Sequence, residues 1–96
     1  MPPSRPSGGR LTSDQGPFRY RIDVLRDLER HGVRPTPRTR PELVREFVRD
    51  LYLYEIRALR ARMLRQEFPR TEYADRVDRL RRKYTVLALL PRQMIE

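Results

Sequence analysis

Apolar side chains recur at helical spacing in three stretches of the chain. Phe18, Ile22, Leu25 and Leu28 stand four, three and three apart, and Gly32 follows as a residue suited to a left-handed cap, which predicts a first helix over about 18–31. Pro35 and Pro37 cannot occupy a helix interior, so 33–38 reads as an extended connector. Thr39, Arg40, Pro41 and Glu42 then form a start signal. Thr39 is placed to accept from the amide of Glu42, the Glu42 carboxylate to reach back, and Pro41 to sit in the first turn without losing a needed donor. No breaker follows until Phe68-Pro69, which extends this helix over about 40–67, a length of about 40 Å. A third helix is expected from Arg70 or Thr71 to about Tyr84, with Tyr73, Val77, Leu80 and Tyr84 as its seam. Glu72 and Asp75 near its start and Arg81, Arg82 and Lys83 at its end complement the helix dipole. The apolar run 86–90, between Thr85 and Pro91, fits either a short strand or a last helical turn, and periodicity does not choose.

The fold class that follows is all-α, a three-helix unit organised by its long central helix. On that helix, at 100° per residue from Leu43, Tyr54, Phe47, Ala58, Leu51 and Val44 fall between about 20° and 100°, and Val48, Leu59, Tyr52, Met63 and Ile56 between about 140° and 220°. So wide an arc exceeds the stripe that one neighbour covers. Either the first and third helices take one flank each, or the flank of Tyr52, Ile56, Leu59 and Met63 is covered by another subunit. Tyrosine suits the second case, being apolar in body and polar at its tip. Glu55 and Arg62 interrupt the arc, and a carboxylate at that place needs a cation from another helix, another chain or an edge open to solvent. Tyr52, Glu55, Ile56, Leu59, Arg62 and Met63 are therefore the candidate protein-interaction residues.

Residues 1–17 hold four of the nine prolines and three of the four glycines with little to bury, and read as a flexible tail before a single helical domain, 18–90, and a short C-terminal end, 91–96. A chain of 96 residues leaves no room for a second domain. It has no cysteine, which removes disulfides and thiolate metal sites and points to a cytoplasmic protein, and no apolar run is long enough to span a membrane. The net charge is +9 from 22 cations, of which Lys83 is the sole lysine. Two foci stand out: Arg34, Arg38 and Arg40 in the connector, and Arg79, Arg81, Arg82 and Lys83 at the end of the third helix. Elsewhere cations alternate with acids, and Asp23 with Arg26, Glu42 with Arg45, Glu46 with Arg49, Asp75 with Arg79 and Asp78 with Arg82 are spaced to pair.

No set of residues resembles a catalytic or cofactor site. His31, the one histidine, precedes Gly32 at a helix end, where a donor is favoured for capping. No phosphate-binding loop or metal-ligand spacing occurs. Leu51-Tyr52-Leu53 followed by Leu59-Arg60 resembles the opening of the small helical accessory proteins named for a Leu-Tyr-Arg motif, with Leu53 in place of their defining arginine. The turn from Glu67 to Tyr73 is similar to the hairpin of short C-terminal oligomerisation modules. Both resemblances imply a helical protein-interaction unit and nothing more specific. The favoured expectation is a non-enzymatic basic accessory or adaptor subunit, without cofactor, docking on a larger protein assembly, with a homo-oligomer compatible. The alternative is a nucleic-acid binder using the two arginine foci.

Overall fold

The computed structural model describes residues 16–96, and these form an all-α unit of three helices with no strand among them. The expected tail lies outside the described residues as far as residue 15; Gly16 and Pro17 already belong to the fold. Gly16 passes so close to the connector that a Cβ there would meet the Pro37 carbonyl at 2.2 Å.

Helix α1 spans Ile22–Glu29, shorter than its apolar spacing suggests. Phe18 precedes it on extended chain, donating its amide to the Pro37 carbonyl at 3.0 Å. The buried stripe is Tyr20, Val24 and Leu28, while Ile22 is exposed. Of the expected stripe, Leu28 is fully buried and Phe18 and Leu25 pack partly buried against the core, so Ile22 alone falls outside it. The helix end is the expected one. Gly32 has φ 74°, Val33 donates to the Leu28 carbonyl at 3.0 Å and Gly32 to that of Glu29 at 2.9 Å, the two bonds of a Schellman motif.

Helix α2, Pro41–Leu64, starts with its proline in the first turn but without the expected capping box. Arg40 is the capping residue, so Thr39 stands one place too early. Its hydroxyl instead accepts the Thr36 amide at 2.9 Å, closing a turn in the connector. The helix also stops earlier than the sequence suggests. Gln66 takes φ 61°, and Glu67 and Gln66 donate to the carbonyls of Arg62 and Met63 at 3.0 and 2.9 Å, a second Schellman motif built without glycine. Phe68 is buried just beyond it, and a 3₁₀ turn, Arg70–Glu72, leads into helix α3, Tyr73–Lys83.

Antiparallel to α2, α3 packs along its second half, Lys83 reaching Glu55 and Phe68 holding the turn. The chain then returns along the first half. The apolar run is neither strand nor α-helix but a 3₁₀ turn, Thr85–Ala88, followed by another at Pro91–Gln93. Arg45 of α2 donates to the carbonyls of Leu89 and Leu87 at 2.9 and 2.8 Å, which is why it does not pair with Glu42. Thr85 donates to Asp27 of α1 at 2.8 Å. Residues 91–96 are not a loose end: Met94 is fully buried, Ile95 forms an antiparallel bridge with Tyr20, and Glu96 donates to the Arg19 carbonyl at 2.8 Å.

The core cluster joins Tyr20, Val24 and Leu28 to Val44 and Val48, with Tyr84, Val86 and Met94 completing it. The first helix therefore meets the central one largely through the C-terminal segment wedged beside both. α1 and the first half of α2 run the same way, since Tyr20 donates to the Thr39 carbonyl at one end and His31 stacks on Tyr84, beside Tyr52, at the other.

Candidate docking surface

Three valine and leucine side chains on one face of α2 make its share of the core. Val44, Val48 and Leu59 lie at about 100° to 160° on the helix wheel and are buried. Going round toward Leu43, burial ends abruptly. Leu43 is 51% exposed, Phe47 54% and Tyr54 70%, and Ala58 beside them is exposed too. Side chains of this kind cluster on a helix surface only where something else covers them or where they serve as anchors.

The candidate interaction residues chosen from the sequence lie on the other flank. Leu59 is buried at 9%, and Tyr52, Ile56 and Met63 are half-buried. Tyr52 meets the Tyr84 ring edge-on at 5.5 Å between centroids. The Tyr52 side faces α3 and the returning chain, so that flank is covered within the fold, and it is the Phe47 side that faces outward. The wheel gives the width of the arc but not the direction from which the neighbours approach.

Glu55 does meet a cation from another helix. Lys83 Nζ lies 3.4 Å from both carboxylate oxygens, and the Tyr84 hydroxyl donates to Oε2. Burial, reinforced by that hydrogen bond and the nearby carboxylate charge, pushes the Tyr84 phenol above its ordinary range. Behind Tyr84 the His31 ring stacks at 4.2 Å and donates from Nε2 to the Lys83 carbonyl at 3.0 Å. His31 thus caps the end of α3, not that of its own helix. Arg62 answers to Glu67 at 3.1 Å, with its guanidinium 5.6 Å from the Phe68 ring centroid. Arg65 also holds Glu67 and keeps that carboxyl below its usual range.

Between α2 and α3 runs an open groove of about 440 Å³, with Ala58, Leu59 and Leu80 on its apolar side and Tyr54 at its lip. Glu55 and Arg62 from the expected protein-interaction set come together here with Arg79 and Lys83 from the expected nucleic-acid set. Most of the α3 cations are already engaged. Arg81 lies 3.7 Å from Asp78, Arg82 also pairs with Asp78, and Lys83 serves Glu55. The other focus does not join them. Arg34 pairs with Glu29 at 3.0 Å near the end of α1, whereas Arg38 and Arg40 lie where the connector has returned beside Tyr20 at its beginning. Those ends are about 12 Å apart.

No family model, curated protein or solved structure matches this chain. The arrangement must speak for itself, and among the described residues it contains no group of three or more metal-ligating side chains. What the geometry offers is an apolar helix face about 27 Å long, from Leu43 to Ala61, bordered by a groove and by charged side chains. The sequence signal for it was the excess width of the arc. The signal for its position lay in Tyr20 and Met94, whose burial fixes where α1 and the C-terminal segment press on α2.

Proposed function

We propose that this protein is a non-enzymatic helical accessory subunit that enters a larger protein assembly through the outward face of α2. The observation that carries this reading is the row of Leu43, Phe47 and Tyr54, each more than half exposed on a helix whose neighbouring face already supplies the core. Tyrosine and phenylalanine in such a place serve as anchors that a partner's pocket can enclose. The favoured address, cytoplasmic, follows from the cysteine-free composition alone.

Direct nucleic-acid binding is less well supported. The positive charge is spread through local ion pairs, and the two arginine foci form no continuous stripe. A photo-crosslinking residue placed at position 47 in the full chain, in its native cell, separates the two readings. Adducts that survive nuclease at position 47, with few from a probe at exposed Arg49 around the helix, are the expected result. Adducts at position 47 that nuclease removes, or none there at all, would contradict it.

A further inference from the structure

We propose that the occupant of this face is a second copy of the chain, docked antiparallel on α2 about a two-fold axis passing between Tyr52 and Leu53. The inference rests on the docking reading above and names its partner.

Size complementarity is the first argument. The outward seam carries large side chains, Leu43 and Phe47, toward its N-terminal end and small ones, Ala58 and Ala61, toward its C-terminal end. Antiparallel pairing about the stated axis sets Phe47 opposite Ala58 of the second copy, so that bulk meets space there, and brings Leu51 against its Tyr54 near the axis. Beside Ala58 the α2–α3 groove gives the incoming Phe47 and Leu43 room to settle. A parallel pair would stack Phe47 on Phe47 and leave the alanines facing a gap.

Charge gives the same answer independently. One edge of the seam carries Glu46 and Asp50 at about 300° and 340°, then Arg57 and Arg60 at about 320° and 260°. All four are exposed, and none makes an ion pair among the described residues. A two-fold axis perpendicular to the paired helices brings this edge against the same edge of the other copy, running the opposite way. Glu46 then faces Arg57 and Arg60, and Asp50 lies within one turn of Arg57. A parallel pair would instead set this edge against the far side of the partner's seam, near Val44 and Arg62, and would leave the four charges without these partners. A surface whose two halves complement each other is what an isologous interface requires.

Sedimentation equilibrium of the purified full chain over a roughly hundredfold concentration range tests this. A monomer–dimer equilibrium is expected, and Phe47→Asp should weaken dimerisation at least about tenfold. Asp50→Arg and Arg57→Asp should each weaken it about fivefold, whereas the chain carrying both should bind more tightly than the poorer single variant, because the two reversed charges meet each other across the seam even though position 57 also faces Glu46. A double variant no better than the poorer single variant would overturn the antiparallel arrangement. A chain that stays monomeric while position 47 still crosslinks to another protein overturns the second copy and leaves the docking reading standing. A monomer with no crosslinks at position 47 overturns both.

Discussion

Tyr84 ties together three segments through one side chain. Its ring lies against His31 from the end of α1 and Tyr52 from α2, while its hydroxyl serves Glu55 beside Lys83 from α3. The sequence marked Tyr84 only as the last residue of a helical seam, and Glu55 only as a carboxylate in need of a cation. Neither statement identified the other as partner, since the bond joins positions 29 residues apart through a turn whose geometry depends on Gln66. The consequence is visible in alkali. Burial and Glu55 raise the phenol of Tyr84, and burial and Glu42 raise that of Tyr20 to about 12, both from an ordinary value of 10.0. The fold therefore favours the neutral phenols. Their contribution is fully present below pH 10 and is lost as pH rises through the folded-state values. Melting temperature should hold steady to about pH 9 and fall beyond about pH 10, and the fall should be shallower in Tyr84→Phe. Equal slopes in the two proteins would show that Tyr84 ionises as freely in the fold as outside it.

Among elements, the helix ends show most clearly what local sequence reveals. Gly32 announced its left-handed turn because glycine is the usual residue there, and the structure gives it φ 74°. At Gln66 the same motif closes α2 with a residue that resists φ 61°, so no reading of residue types could have ended the helix at Leu64. The capping box misled for a related reason: its residues were present, but the helix starts one position too late to use Thr39. Similarly, the stripe expected in α1 presumed a helix from Phe18, and the true stripe, Tyr20, Val24 and Leu28, depends on an extended segment held by Met94 and Ile95 from the far end of the chain. Replacing Gln66 by glycine relieves the strained conformation at a solvent-exposed site. Gln66→Gly should stabilise the chain by about 1 kcal/mol in denaturant unfolding, the relief of strain exceeding the added backbone entropy of the unfolded state. A loss of stability would mean that the Gln66 side chain supports the turn.

At the scale of the whole molecule, the three-helix architecture was legible from periodicity, whereas the orientation of its central helix was not. α2 presents apolar residues over more than half its circumference, and only the long-range placement of α1, α3 and the C-terminal turns decides which part is enclosed. The answer leaves Leu43, Phe47 and Tyr54 outside and Val44, Val48 and Leu59 inside. Everything proposed about docking depends on that division, and adjacent residues on one helix test it. In dilute full-length protein, where association does not contribute, Val48→Ala removes buried methyl groups at a cost of about 2 kcal/mol and should lower the melting temperature by roughly 10 °C. Phe47→Ala, made one residue away, should leave it within about 2 °C of the parent, because the ring it removes touches solvent and alanine favours the helix. If Phe47→Ala melts as early as Val48→Ala, the outward face is part of the core, and the docking surface does not exist.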